Sequence, residues 1–342
     1  MNQHRSVIRV TPASRILLAF LTITLWIPCS QAQPGHVLQH QIVYQHDGHF
    51  AGWPANNGIW NWGDEIVVGF TLGHYRKNPD GGHDIDRERP STTRQARSRD
   101  GGVSWETEVP AFIDVNGRER ATTQLTSAID FSNPNLALRF RDDRFYASTD
   151  RCHTWSGPFQ LPTFGRPELL ARTDYIIESP QQVTAFVAAS KDNGKEGQPL
   201  CIRTTNGGLT WNRVGWIGQQ PPETYGYAIM PATVALGDRG YLSMIRRGGV
   251  FDGEKQWWLE TWLSPDLGQS WYQLDQPRIE NAGNPATLTR LKNGEIAMTY
   301  GWRLPPYGIR GKVSYDNGQS WSSEFVLTAD GVSWDLGYPR TI

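Results

Sequence analysis

Short runs of apolar, β-branched and aromatic residues alternate with polar residues along most of the chain. Examples are 65–70, 183–189, 241–246 and 296–300, each bounded by Gly, Asn or Asp. Alternation with a period of two over such short lengths is typical of half-buried strands and not of amphipathic helices. The pattern therefore predicts an all-β protein.

One eight-residue pattern interrupts these runs five times, at 98–105, 148–155, 204–211, 264–271 and 314–321. Each copy begins with Ser or Thr, has Asp or Asn at its third position and ends with Trp. The fifth position is Gly, except for Cys152 in the second copy. An Asx side chain can bind nearby backbone N–H groups, and Gly accepts a positive φ, so each copy predicts a tight hairpin turn.

The copies start 50 to 60 residues apart, with strand-like segments between them. A repeat of this size predicts a β-propeller whose blades are four-stranded antiparallel sheets. Residues 53–55 are predicted as the first inner strand, and 337–342 as the start of a sixth blade. We therefore expect six blades, the sixth incomplete because the sequence is truncated, with 37–44 as a candidate outer strand for it.

The N-terminus predicts export. Residues 1–32 combine a basic start, an apolar run at 16–27 and the small-residue site Ser30-Gln31-Ala32, which is typical of a secretory signal peptide. The apolar run is shorter than the roughly 20 residues of a membrane span. Lipid attachment at Cys29 is the alternative. The remainder, 33–342, is predicted to be one secreted or periplasmic propeller domain.

The charge balance narrows the choice of partner. The chain has 33 Lys and Arg against 34 Asp and Glu, which does not favour nucleic acid or an anionic membrane as a partner. Its 15 Trp residues include several that could stack on sugars. We expect a monomer that binds a glycan and needs no metal or other cofactor. Whether Cys152 and Cys201 pair is left open by the sequence.

Strand direction predicts where function lies. If the eight-residue turns occupy one end of each blade, the loops between the second and third strands meet at the opposite end. The longest of these loops, 73–90, is dense in Asp, Glu, His and Arg, which suits a general acid. A solvated charged loop is the alternative.

Arginines and aromatic residues recur in segments that reach the same end. An arginine fork matches a carboxylate, so a cluster of them predicts an acidic sugar as the ligand. The arginine candidates are Arg166, Arg246, Arg247, Arg303, Arg310 and Arg340, and the stacking candidates are Trp53, Trp60, Trp257, Trp302 and Tyr307.

The repeated pattern, S-x-D-x-G-x-x-W, resembles the Asp-box, or BNR repeat, of the sialidase superfamily, and the resemblance extends from about residue 40 to the end. It implies an acid/base Asp in the long loop, where Asp84 and Asp86 are the candidates. It also implies that Arg246 and Arg310 are the second and third of three carboxylate-binding arginines. Tyr338 resembles the nucleophile.

Two departures from the family accompany this resemblance. Trp53 stands where the first arginine is expected, and the Glu that activates the tyrosine should fall near Met230. Glu223 is the nearest replacement, with Glu168 as another second carboxylate. The sequence thus predicts an exo-acting glycoside hydrolase for an acidic or decorated glycan. A non-catalytic carbohydrate-binding propeller is the main alternative, and a polysaccharide lyase or an assembly factor also stays open.

Overall fold

The computed structural model describes residues 37–79, 81–237 and 240–342. The predicted signal peptide, 1–32, lies outside these ranges. The described residues form five antiparallel sheets, which are the blades of an all-β propeller. No helix among them is long and apolar enough to cross a membrane.

The first two blades come from the N-terminal part of the described chain. The elements of blade one are β1 (His49–Gly52), α1 (Pro54–Asn57), β2 (Ile59–Trp62), β3 (Glu65–His74), β4 (Thr92–Ser98) and β5 (Glu106–Glu108). Those of blade two are β6 (Ala137–Arg141), β7 (Arg144–Ser148) and β8 (Ser156–Gln160). In both blades strands that follow one another in sequence pair as antiparallel neighbours. The exception is at the inner edge of blade one, where β1 and β2 both pair with β3.

The other three blades follow the same order. Blade three contains β9 (Tyr175–Ser179), β10 (Gln182–Ala189), β11 (Gln198–Thr204) and β12 (Asn212–Trp216). Blade four contains β13 (Tyr227–Ala235), β14 (Tyr241–Phe251), β15 (Glu254–Ser264), β16 (Tyr272–Gln273) and β17 (Ile279–Glu280). Blade five contains β18 (Ala286–Arg290), β19 (Ile296–Trp302), β20 (Gly308–Ser314) and β21 (Phe325–Thr328).

The inner edge of blade one differs from the prediction. Residues 53–55, predicted as a strand, enter the short helix α1 instead. Trp53 has a φ of 59° and Pro54 begins the helix, so the chain leaves the ladder here, since proline has no N–H to contribute. Strands β1 and β2 pair with the same edge of β3, one at each end.

The prediction of six blades was wrong, because the described residues form five. Neither 337–342 nor 37–44 is a strand. Tyr338 makes its backbone hydrogen bonds to the side chain of Asn284 and to Ala55 N–H, so its segment connects blade five to blade one without a ladder. The expected truncation has no support in the structure.

All five eight-residue turns close in the same way. The hydroxyl of the first residue accepts a hydrogen bond from the N–H of the fifth, at 2.7 to 2.9 Å. The third residue accepts from the N–H of the seventh. The fifth residue always has a positive φ, which explains Gly at four positions and makes Cys152, at 66°, the exception.

The turns of blades two to five pack against the preceding blade. Arg203 of β11 donates to Leu267 O in the turn of blade four, at 2.7 Å. A Cβ added at Gly268 would lie 2.5 Å from the Cys201 sulfur, so this blade contact requires glycine. Cys152 and Cys201 are both buried and unpaired with each other. The turns therefore stabilise contacts between blades.

Candidate functional site

The segment before the C-terminus carries Tyr338 into a cluster of cationic and aromatic side chains. Asn284, fully buried, accepts from Tyr338 N–H at 3.0 Å and donates to Leu336 O at 2.7 Å. Gly337 has a φ of 102°, and a Cβ there would collide with the Asn284 amide. These contacts fix the backbone on both sides of Tyr338, which is itself buried.

Two arginines from neighbouring blades meet at Tyr338. Arg246 of β14 donates through Nη1 to the Tyr338 hydroxyl at 3.3 Å. The guanidinium carbon of Arg303, which follows β19, lies 5.6 Å from the Tyr338 ring centroid and 4.7 Å from that of Trp334. Arg303 also donates to Gly283 O at 3.3 Å. The site is therefore assembled from blades four and five and the C-terminal segment.

Both arginines retain unused donors. Arg246 Nε and Arg303 Nη2 are buried and have no hydrogen-bond partner among the described residues. Burial lowers the pKa of Arg303, helped by the nearby charge of Arg246 and opposed by Tyr338 and Asp335. Burial also tends to lower the pKa of Arg246, but Tyr338, Tyr227 and Glu196 outweigh burial and raise that pKa overall. Because buried donors are normally paired, these groups favour an anionic ligand.

The long loop of blade one reaches the same cluster through His83. Its Nδ1 lies 2.5 Å from Asp335 Oδ1, and the N–H of Asp84 donates to Asp335 Oδ2 at 2.6 Å. The His83 ring centroid is 4.9 Å from the Trp53 ring and 5.8 Å from the Tyr338 ring. Burial tends to raise the pKa of Asp335, but the hydrogen bonds from His83 and Asp84 N–H outweigh it and lower that pKa.

The two predicted acids are used within their own loop. Asp84 is buried and accepts from Lys77 Nζ at 3.0 Å and from Asn78 N–H at 2.8 Å. Asp86 accepts from Arg76 Nη1 at 3.3 Å and from Glu88 N–H at 3.1 Å. Both carboxylates thus brace the loop that presents His83.

Four of the predicted site residues come together, namely Trp53, Arg246, Arg303 and Tyr338. We refer to these four, with His83, Trp334 and Asp335, as the Tyr338 cluster. The sequence interpretation missed the last three. His83 lies inside the segment that resembles the sialidase loop, and Trp334 and Asp335 lie just before Tyr338. Their nearness in sequence to predicted site residues is the only sequence signal that could have identified them.

The remaining predicted arginines make other contacts, Arg166 with Asp192 at 2.7 Å. Arg247 pairs with Glu260 at 3.0 Å, and Arg340 donates to Thr173 O and lies 3.6 Å from Asp174. Arg310 pairs with Glu324 at 2.8 Å and covers the Trp302 ring.

Two other predicted residues fall on a loop or a backbone contact, and a third predicted position lies within β13. The side chain of Glu223 is exposed, and its loop is held by Lys191 Nζ, which donates to Pro222 O and Gly226 O. Tyr307 contributes a backbone carbonyl to Gly331 N–H. Met230, near which the resemblance places a Glu, has its sulfur 3.6 Å from Arg246 Nη1. The side chain packed beside the arginine that binds Tyr338 is therefore apolar.

Comparison with solved structures supports the fold. A protein of unknown function from Dyadobacter fermentans aligns over 87% of this chain and 88% of its own, with a TM-score of 0.60 and 18% identity. A variant of the NanB sialidase from Streptococcus pneumoniae aligns over 84% of this chain and 63% of its own, with a TM-score of 0.52 and 10% identity. No protein-family model and no curated protein sequence matches the chain. The chain shares the propeller fold of these proteins.

Proposed function

We propose that the Tyr338 cluster binds a carboxylated sugar of a glycan and that the protein hydrolyses the glycosidic bond of that sugar. The observation that carries this proposal is a pair of arginines beside Tyr338, half-buried Arg246 and buried Arg303, each with one buried donor left unused. A carboxylate can accept from both forks and would compensate two neighbouring positive charges. The burial of Arg303 strengthens that attraction, because little water competes for the charge.

Aromatic rings around the arginines suit a sugar better than a small inorganic anion. Trp53 and Trp334 flank His83, and neither indole is fully buried. Aromatic rings offer apolar surface to the C–H face of a pyranose while polar groups bind its substituents. The propeller shared with a sialidase agrees with a glycan ligand.

The proposal gives the predicted residues unequal parts. Arg246 and Arg303 hold the carboxylate, Trp53 contacts the ring, and Tyr338 positions the sugar or attacks its anomeric carbon. Asp84 or Asp86 as the acid, and Glu223 as a second carboxylate, would each have to leave present contacts or rotate into the cluster.

Binding without hydrolysis is a second candidate function. Met230 supports it, because a methionine cannot take the proton of Tyr338, whereas a Glu at this place could. Binding with no turnover of any glycoside would favour this candidate.

Paired arginine variants test the carboxylate site. We expect Arg246→Met and Arg303→Met each to weaken binding of glucuronate or N-acetylneuraminate at least about 10-fold, since a hydrogen bond to a charged group contributes about 1.5 to 3 kcal/mol. Calorimetric titration measures the affinity, and release of nitrophenol from the nitrophenyl glycosides of both sugars and of galactose measures turnover.

Arg310→Met is the matched control, because Arg310 pairs with Glu324 away from the cluster. Equal losses in all three variants, or tighter binding of galactose than of either acid, would contradict the carboxylate site.

Export is part of the same proposal, with cleavage before Gln33 and a monomeric, cofactor-free mature chain. N-terminal sequencing and light scattering of the exported protein test these points.

A further inference from the structure

The geometry points to His83, held by Asp335, as the proton donor to the glycosidic oxygen in the proposed hydrolysis, in place of Asp84 or Asp86. This inference rests on the proposed function and adds a named catalytic residue to it. Its basis is one short contact and the different surroundings of three side chains in the same loop.

The contact between His83 and Asp335 leaves one imidazole nitrogen for the ligand. Nδ1 is 2.5 Å from Asp335 Oδ1, so Nδ1 donates to the carboxylate and Nε2 is not engaged by it. The Asp335 side chain is 6% exposed and that of His83 is 20% exposed, so a ligand can reach the imidazole and not the carboxylate. A buried carboxylate on one nitrogen orients the ring and compensates its charge when the other nitrogen is protonated.

The neighbours of His83 place it beside the proposed sugar site. Trp53 meets the imidazole edge to face at 4.9 Å, and Tyr338 lies at 5.8 Å between centroids. Tyr338 in turn accepts from Arg246. A sugar whose carboxylate lies on the arginines would therefore have His83 within one sugar length of its anomeric substituent.

Asp84 is less suited to the same task. Its two carboxylate oxygens accept from Lys77 Nζ and from Asn78 N–H, so both oxygens are bound within the loop. A general acid must reach the glycosidic oxygen directly, and Asp84 would have to give up one of these contacts to do so. The N–H of Asp84 instead helps to fix Asp335, so Asp84 supports the His83 contact through its backbone.

The step can be written with all atoms and electrons accounted for. Protonated His83 gives its Nε2 proton to the glycosidic oxygen while the bond between that oxygen and the anomeric carbon breaks, and the electron pair stays on the oxygen. A water molecule adds to the anomeric carbon and loses one proton. That proton returns to the imidazole, directly or through solvent, so the net change is hydrolysis of one acetal bond.

The dependence on leaving group tests this role. We expect His83→Gln to lower kcat/KM for methyl glucuronide and methyl N-acetylneuraminide about 100-fold to 10,000-fold, the usual contribution of a general acid. For the dinitrophenyl glycosides of the same sugars, kcat/KM should fall less than about 10-fold, because dinitrophenolate leaves without a proton. Asp335→Asn should also lower kcat/KM more for the methyl glycosides than for the dinitrophenyl glycosides.

Matched variants separate catalysis from folding. His74→Gln replaces a histidine of the same blade outside the cluster, and Asp84→Asn replaces the alternative acid. His83→Gln should still unfold cooperatively above the assay temperature and should still bind glucuronate, because Arg246 and Arg303 are intact. Equal losses on methyl and dinitrophenyl substrates would overturn the proton-donor role, and so would a leaving-group effect in Asp84→Asn and not in His83→Gln.

The two proposals fail in different ways. If the wild-type protein hydrolyses an acidic glycoside and His83→Gln keeps its rate, only the role of His83 is overturned. If the wild-type protein hydrolyses none of these glycosides, the catalytic part of the proposed function and this inference are both overturned. Binding to Arg246 and Arg303 would in that case still be measured separately.

Discussion

At the scale of single residues, two buried carboxylates show how neighbours control ionisation. Asp335 is held ionised by His83 and by Asp84 N–H, so its pKa is lowered despite burial. Asp174, next to Arg340, is also buried, and burial raises its pKa to about 6 although Arg340 acts in the opposite sense. At Asp174 the hydrogen bonds from Thr233 and the charge of Arg340 do not outweigh burial, whereas at Asp335 the two short hydrogen bonds from His83 and Asp84 N–H do.

Asp174 predicts a pH dependence of stability. Its pKa rises from 3.8 to about 6 on folding, so between these pH values the folded protein keeps a proton that the unfolded chain releases. The free energy of unfolding therefore falls by about 3 kcal/mol as pH rises through this window, and this loss stays constant above it. In Asp174→Asn the contribution is absent, so urea unfolding from pH 4 to 7 should show the variant gaining stability relative to the wild-type protein. Parallel profiles would contradict the assignment.

At the scale of elements, the eight-residue turn explains why one pattern recurs with small changes. Asn206 occupies the Asp position in blade three, and its amide accepts from Thr210 N–H and donates to the Thr210 hydroxyl. Asn can thus make the same bonds as Asp, with one direction reversed. The pattern is conserved among the blades of this chain because its hydrogen bonds are local.

Asp266 tests the contribution of one turn. Its carboxylate accepts from Ser270 N–H at 2.9 Å, from the Ser270 hydroxyl at 2.6 Å and from the Ser264 hydroxyl at 3.0 Å. We expect Asp266→Ala to lower the free energy of unfolding by about 2 kcal/mol, since partly exposed partners regain only some of these bonds from water. Asp266→Asn should lose less than half of that, following Asn206. Urea denaturation measures both, and equal losses would show that charge and not bonding geometry matters.

At the scale of the whole molecule, buried arginines connect one blade to the next. Arg97 of β4, whose side chain is fully buried, binds Glu65 at 2.6 Å and Glu108 at 2.7 Å within blade one. It also donates to Arg151 O in the turn of blade two at 2.9 Å. One side chain thus satisfies two carboxylates and a backbone carbonyl at the junction of two blades.

Replacing Arg97 should therefore weaken the whole propeller. We expect Arg97→Met to lower the free energy of unfolding by about 3 to 5 kcal/mol, because it removes several charge-assisted hydrogen bonds at a buried junction, each of which contributes about 1.5 to 3 kcal/mol. Glu65 keeps Arg151 as a partner and Glu108 keeps Gln95. Arg99→Met removes the exposed pair with Glu106 in the same segment and should cost less than about 1 kcal/mol. Denaturant unfolding measures the free energy of unfolding of both variants. Similar losses would show that burial at the junction does not determine how much an arginine contributes to stability.

The chain by itself determined the features that depend on local hydrogen bonds and short-period patterning. The five turns form where the repeat places them, and most predicted strands are present because alternation and turn chemistry act within a few residues. The same locality explains why the all-β propeller class was predicted while the number of blades was not. A blade exists only if its strands find partners, and 337–342 bonds to Asn284 and Ala55 instead.

Tertiary structure alone decided which of the candidate site residues meet. The resemblance singled out Arg246, Arg310 and Tyr338, and Arg303 was one of several other arginine candidates. Only packing showed that Arg246, Arg303 and Tyr338 meet, while Arg247 and Arg310 pair with Glu260 and Glu324. The contact between His83 and Asp335 joins residues 252 positions apart, and no local pattern specifies such a pair. Pairing of charges depends on distance in space, which alternation and turn residues do not encode.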